Sequence, residues 1–253
     1  MLDTAHTPID KWILNFVGDE LGADEAHVWR ASLDQPAELI AKLAPLLSQD
    51  EYQRAERFHR PIDRRRFTAG RGILRKILST YLGLAPDEVQ FVYNKYGKPL
   101  ISNDQKRGAL SFNLSHSNGM ALYAVAWRRR VGIDIEYVRE DFATLEVAER
   151  FFSKDELEAL KAAPIDRRVE AFFNCWSRKE SYIKAIGMGV SYPLDGFTVS
   201  LTHDVAPSLL KVDAGAAEAA RWKMYELDAV EGYAAALIVE NPPVSISRFQ
   251  WNE

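Results

Sequence analysis

The sequence holds a single cysteine, Cys175, among 253 residues. A disulfide framework within the chain is therefore excluded, and the usage suits a reducing compartment. Cys175 lies between Asn174 and Trp176 in a helical pattern, with no neighbouring group that would stabilise a thiolate, so it is read as a packing residue. Long apolar runs are missing too. No stretch approaches the roughly 20 residues that a membrane-spanning helix needs, and the N-terminus lacks the basic region and apolar run of a secretory signal. A soluble, cytoplasmic protein is expected. Excess positive charge is also absent: the formal net charge is −4, which argues against nucleic-acid binding driven by overall charge. The 47% of hydrophobic residues is enough for a buried core, so nothing in the composition suggests disorder.

What is present is a repeat. Glu56-Arg57-Phe58 followed by Pro61-Ile62-Asp63-Arg64-Arg65 returns as Glu149-Arg150-Phe151 followed by Pro164-Ile165-Asp166-Arg167-Arg168. Each copy leads into a long helical pattern that stops at a glycine, Gly83 or Gly187. Phe67, Leu74, Ile77, Leu78 and Tyr81 fall at helical spacing in the first, and Phe172, Phe173, Trp176, Ile183 and Ile186 in the second. Strand patterns follow in the same order. Phe91–Tyr93, Leu110–Leu114 and Met120–Trp127 come after the first helix, and Phe197–Leu201, Trp222–Leu227 and Tyr233–Val239 after the second. Val28–Leu33 and Val131–Ile135 precede the helices. Short turns between strands favour antiparallel pairing with one helix covering each sheet. The expected fold is α+β with two similar halves, residues 1–127 and 131–253, related by a pseudo-twofold. Each half is a small antiparallel sheet packed against a long helix, and a cleft lies between the halves. Arg128-Arg129-Arg130 reads as the solvated turn that joins them.

Four segments carry possible chemistry. In Gly132-Ile133-Asp134-Ile135-Glu136, strand alternation puts Asp134 and Glu136 on one face and the isoleucines on the other. Paired carboxylates repel unless a cation or proton lies between them, and Mg²⁺ suits such oxygen ligands; a solvated edge strand is the plain alternative. On the second helix Trp176, Glu180 and Lys184 are four apart and share a face. Glu180 and Lys184 could be a surface pair, or a metal ligand and a phosphate contact beside a cleft. Phe112-Asn113-Leu114-Ser115-His116-Ser117-Asn118-Gly119 closes a strand with a polar turn that could cradle an anion, with a protonated imidazole beside it, or could be an ordinary hairpin. Lys95-Tyr96-Gly97-Lys98-Pro99 reads as a turn with exposed lysines.

In this order and spacing the segments resemble the motifs of the 4′-phosphopantetheinyl transferase superfamily, in its single-chain pseudo-dimeric (Sfp-like) branch. Gly132 to Glu136 meets the branch's Gly-x-Asp-x-Glu, and Trp176 to Lys184 meets its Trp-x-x-Lys-Glu-Ser/Ala-x-x-Lys. Phe151-Phe152-Ser153, Lys95 to Pro99 and Ser115 to Ser117 also look like family segments, and the likeness spans roughly residues 50 to 240. It implies an enzyme, a holo-[acyl-carrier-protein] synthase that moves phosphopantetheine from coenzyme A to a carrier-protein serine. Asp134, Glu136 and Glu180 would then hold Mg²⁺, Lys184 would contact the attacked phosphate, and Glu180 or a metal-bound water would take the serine proton. Ser115 and His116 would touch the coenzyme A phosphates, Lys98 and Pro99 would lie near the adenine, and Arg54 and Arg66 would grip the 3′-phosphate. Glu51 stands where some relatives carry lysine. The segment from Tyr137 to Arg150 would border the carrier site, and the chain would act as a monomer. Phosphoryl transfer needs positioning and charge neutralisation, not a protein nucleophile, which agrees with the residues present. Two rivals use the same residues: a Mg²⁺-dependent nucleotide phosphohydrolase that directs water at phosphorus, and a non-catalytic module that binds coenzyme A or a carrier protein.

Overall fold

The computed structural model describes residues 12–13, 21–102, 110–202 and 205–253. The absence of a secretory signal was read from residues that lie mostly outside this set. The chain begins with β1 (Glu25–Ser32), α1 (Ala37–Leu43), α2 (Gln49–Glu56), α3 (Pro61–Leu82), β2 (Phe91–Tyr93), β3 (Pro99–Ile101), β4 (Leu110–Ser117) and β5 (Met120–Trp127). It continues with β6 (Val131–Tyr137), α4 (Leu145–Phe151), α5 (Lys154–Ala162), α6 (Arg168–Ile186), β7 (Phe197–Val199) and β8 (Leu209–Val212). It ends with α7 (Ala216–Ala219), β9 (Trp222–Glu226), β10 (Tyr233–Glu240) and β11 (Ser245–Gln250).

The two long helices are α3 and α6. Pro61 opens α3 at a position where its missing N–H leaves no bond unmade, and both helices end on a left-handed glycine, Gly83 or Gly187. Ile73, Leu74, Ile77 and Leu78 of α3 are fully buried against Trp29, Ala31, Tyr123 and Val125 of the first sheet. Phe172, Phe173 and Ile183 of α6 pack beneath the second sheet. A third apolar layer joins the sheets face to face, with Ala26, Val28, Leu122 and Ala124 against Ile133, Ile135, Leu237 and Val239. The layers therefore run helix, sheet, sheet, helix, each buried aliphatic side chain contributing roughly 1.5–3 kcal/mol.

The first sheet has the order β11-β1-β5-β4 and the second β6-β10-β9. Pairing is antiparallel except that β11 adds to β1 in parallel, Glu25 opposite Ser245 and Arg30 opposite Gln250. A strand that arrives by a long crossover has no hairpin to set its direction, which is why the all-antiparallel expectation misses it. The same strand carries the end of the chain out of the second half and into the first sheet.

The duplication extends to buried charge. Ser48 and Ser153 each head a helix with a capping box, closed by Glu51 and Glu156 respectively. Both glutamates are buried, and each meets a buried cation at the same distance before the terminal glycine of its long helix. Arg75 Nε donates to Glu51 at 2.7 Å, and Lys179 Nζ donates to both Glu156 oxygens at 2.7 and 2.6 Å. The Glu-Arg-Phe echo, by contrast, does not superpose. Glu56 ends α2, directly before α3, whereas Glu149-Arg150-Phe151 ends α4, with α5 between it and α6. A three-residue likeness is too short to carry structural equivalence; the capping boxes carry it instead.

Candidate active site

The site forms where β6 meets α6. Ile133 and Ile135 point into the layer between the sheets, so Asp134 and Glu136 take the opposite face, toward α6. Gly132 allows the helix to come this close: a Cβ there would stand 2.0 Å from the Ser181 carbonyl oxygen and 2.6 Å from the Ala185 nitrogen. Along α6 the stripe of Trp176, Glu180 and Lys184 faces the strand's carboxylates. Lys184 Nζ donates to Asp134 Oδ1 at 2.5 Å and to Ser115 Oγ at 2.7 Å. Among the described residues no ion pair joins Glu180 to Lys184, so the surface-pair reading of the stripe fails.

The first half supplies the other wall. Strand β4 lies alongside β6 without sharing its sheet, and the two are joined by side chains. Asn113 Oδ1 accepts from the Ile133 N–H at 2.8 Å, Ser115 Oγ donates to Asp134 Oδ1 at 2.9 Å, and Ser117 Oγ donates to Glu136 Oε2 at 2.9 Å. Ser115, assigned by resemblance to the coenzyme phosphates, is here buried between Asp134 and Lys184.

This packing crowds three carboxylates. Burial first, and then the charge of Asp134, raise the Glu136 carboxyl to a pKa of about 7. The same two causes, in the same order, raise Glu180. Asp134 is fully buried, and its Oδ2 has no hydrogen-bond partner among the described residues. A buried carboxylate oxygen left unpaired costs roughly 1–3 kcal/mol or more, so the site has an unmet demand for positive charge. Lys184 meets part of it. No ready-made cluster of three or more metal-ligating His, Cys, Asp or Glu residues is found among the described residues. The oxygen-only donor set and the unpaired Asp134 oxygen nevertheless fit a hard divalent cation such as Mg²⁺.

On one side of this cluster opens a basic cleft of about 440 Å³, between α3, β4, the β2–β3 turn and the end of α6. Arg54, Arg66, Lys98, Pro99, His116 and Lys184, all named from sequence, line it together. Their availability differs. Arg66 is held by Asp34 through two bonds of 2.7 Å, whereas the guanidinium of Arg54 has, among the described residues, a cation–π contact with Phe67 and no ion pair. Withdrawal from water, and then the charges of Lys184, Arg54 and Arg66, lower the His116 pKa below its ordinary 6.5. The free protein thus disfavours the protonated imidazole that an anion cradle would use. Lys98 is not exposed: its ammonium donates to three backbone carbonyls, those of Lys184 (2.5 Å), Ala185 (3.3 Å) and Val131 (3.4 Å). Arg71 was missed. It lines the cleft, donates to Glu51 at 2.5 Å and to the Tyr93 hydroxyl at 3.1 Å, and its spacing of four from Arg75 on α3 was the available signal. Glu51 lies beneath the cleft, where Arg71 and Arg75 balance its charge.

A second cleft, of about 410 Å³, opens on the other side of Glu136, with Ser117, Tyr137, Arg139, Phe142 and Trp176 in its wall. Trp176 is half-buried there, edge-on to Phe142 and Phe151 with ring centroids 5.3 and 5.6 Å away. The stripe on α6 therefore runs from an aromatic cleft at Trp176 to a basic cleft at Lys184, with the carboxylates between.

Known proteins resemble this chain over most of its length. The pattern of the 4′-phosphopantetheinyl transferase superfamily matches residues 130–238, and that of the 4′-phosphopantetheinyl transferase N-terminal region matches residues 28–127. The chain is 42% identical over 217 residues to the 4′-phosphopantetheinyl transferase HetI of Nostoc sp., covering 86% of this chain and 88% of that one. The chain belongs to the 4′-phosphopantetheinyl transferase superfamily. It is also 33% identical over 209 residues to the 4′-phosphopantetheinyl transferase Sfp of Bacillus subtilis, covering 82% of this chain and 89% of the relative. The transferase psf-1 of Bacillus pumilus is 38% identical over 165 residues, or 65% of this chain and 68% of its own length. Within this superfamily, the chain has no helix among its described residues that is long and apolar enough to cross a membrane.

Proposed function

We propose that this chain transfers the 4′-phosphopantetheine of coenzyme A to a serine of a carrier protein, releasing adenosine 3′,5′-bisphosphate. The reading extends to the single-chain, Sfp-like branch, with halves 1–127 and 131–253 acting as one monomeric unit around a site at their junction. The observation that carries it is the meeting of Asp134, Glu136 and Glu180 with Lys184, which also lines the basic cleft. Coenzyme A carries phosphates at its nucleotide end and a pyrophosphate in the middle. Arg54, Arg71 and His116 suit the former, and Lys184 suits the phosphorus under attack.

Asp134, Glu136 and Glu180 would hold Mg²⁺. Its charge, when bound, would offset the negative charge of the pyrophosphate. The remaining work falls to side chains. The serine hydroxyl approaches from the aromatic cleft beside Tyr137 and Phe142 and gives its proton to Glu180. That carboxylate accepts no hydrogen bond among the described residues, which leaves it an oxygen for the proton. Oxygen–phosphorus bond formation on the pantetheine side breaks the pyrophosphate bond, and the Lys184 ammonium stabilises charge on the transferred phosphoryl group.

The test is mass spectrometry of several apo carrier proteins after incubation with coenzyme A and Mg²⁺. One phosphopantetheine arm should be gained on a serine. Nucleotide release without any modified carrier would instead identify a hydrolase.

A further inference from the structure

We propose that Lys98 is a positioning residue for the transfer, its ammonium clamping the end of α6 to the start of β6 and not gripping a coenzyme A phosphate. An ammonium has three N–H donors, and Lys98 directs them at three carbonyls. Two of these, Lys184 and Ala185, belong to the last turn of α6; the third, Val131, opens β6. Lys98 therefore joins the helix that carries Glu180 and Lys184 to the strand that carries Asp134 and Glu136. A cation at a helix C-terminus is favoured by the dipole and satisfies carbonyls that have no partner within the helix.

The turn that presents Lys98 is built to hold it there. Asn94 Oδ1 accepts from the N–H groups of Tyr96 and Lys98, both at 2.9 Å, and Asn94 Nδ2 donates to the Gly187 carbonyl at 2.7 Å. The turn thus docks on the α6 terminus through two side chains, Asn94 and Lys98. Burial, and then the neighbouring Arg130, lower the Lys98 pKa to about 8, so the side chain is still mostly an ammonium at pH 7, and the three carbonyls favour that charged form. Gly132 brings α6 against β6, and Lys98 locks the same junction from its open end. No donor remains for a phosphate.

The inference rests on the transfer reading, and the experiment separates the two. Full-length wild type, Lys98→Met and Lys98→Gln are compared in three ways: steady-state transfer to an apo carrier protein, calorimetric binding of adenosine 3′,5′-bisphosphate, and amide hydrogen exchange. The glutamine variant keeps two donors without charge and serves if the methionine variant does not fold. Positioning predicts a fall in kcat of at least about tenfold, since misplacement by about 1 Å can lower a rate on the order of 100-fold. It also predicts nucleotide affinity within about twofold of wild type, because no coenzyme contact is lost. Exchange should quicken over residues 183–187 and stay unchanged in α3. Nucleotide binding weakened about tenfold with kcat preserved would make Lys98 a coenzyme contact and overturn the proposal, as would an unchanged kcat with unchanged exchange. Failure of the wild type to modify any carrier would overturn the transfer reading instead, while the exchange measurement would still decide the clamp.

Discussion

Adding one methyl group at Gly132 tests the central geometry. The Cβ of Gly132→Ala would lie 2.0 Å from the Ser181 carbonyl oxygen, 2.6 Å from the Ala185 nitrogen and 2.8 Å from the Ala185 Cβ. Both backbone atoms belong to α6 and cannot rotate away as a side chain could. For the nearest contact to reach an ordinary 3.4 Å, helix and strand must separate by about 1.4 Å. Overpacking of this kind costs typically 1–3 kcal/mol, to be read from urea unfolding. The larger effect is expected in catalysis. The displaced helix carries Glu180 and Lys184, while Asp134 and Glu136 stay with β6, and a shift of about 1 Å can lower a rate on the order of 100-fold. The assay is kcat for transfer to an apo carrier protein, measured where the variant is still fully folded. Gly132→Ala should lose at least about two orders of magnitude in kcat while its nucleotide affinity changes much less. A folded variant with wild-type kcat would refute the claim that α6 and β6 must meet at this separation.

Other perturbations probe the charges. Lys184→Met should lower kcat more than it raises KM for coenzyme A. By leaving Asp134 without its counter-ion it should also make Mg²⁺ raise the Tm more than in wild type; a change confined to KM would reduce Lys184 to substrate binding. Glu51→Gln leaves Arg71 and Arg75 without their buried partner and should cost about 3–5 kcal/mol of stability, with a loss below about 1 kcal/mol in urea unfolding refuting it. His116 should titrate below 6.5 by NMR in the free protein and move upward when adenosine 3′,5′-bisphosphate binds. With its folded pKa below the unfolded value, the native state binds fewer protons, so this group withdraws stability as pH falls below 6.5 and is neutral to stability above it. A free-protein value at or above 6.5 would show that neither burial nor the surrounding cations lower the pKa of the ring.

Local rules in the chain were sufficient for several features. Strand alternation separates Asp134 and Glu136 from Ile133 and Ile135, and helical spacing aligns Trp176, Glu180 and Lys184 whatever surrounds them. The glycine stops of α3 and α6 also follow from patterns within a few turns of chain, and the two-half plan from helix and strand patterns that recur in the same order. What the residues contact was decided by tertiary structure. Asp134 taken alone reads from sequence as part of a solvated edge; it is buried because α6 and β4 both close over β6. Lys98 reads as an exposed turn lysine, and only the arrival of α6, some 86 residues later in the chain, gives its ammonium three carbonyls. Arg66 looks free for a phosphate until Asp34 folds against it, and β11 finds β1 across more than 200 residues, in a direction no hairpin dictates. The physical reason is common to all four. Periodicity fixes the face on which a side chain emerges, whereas burial and the choice of partner depend on which distant surface covers that face.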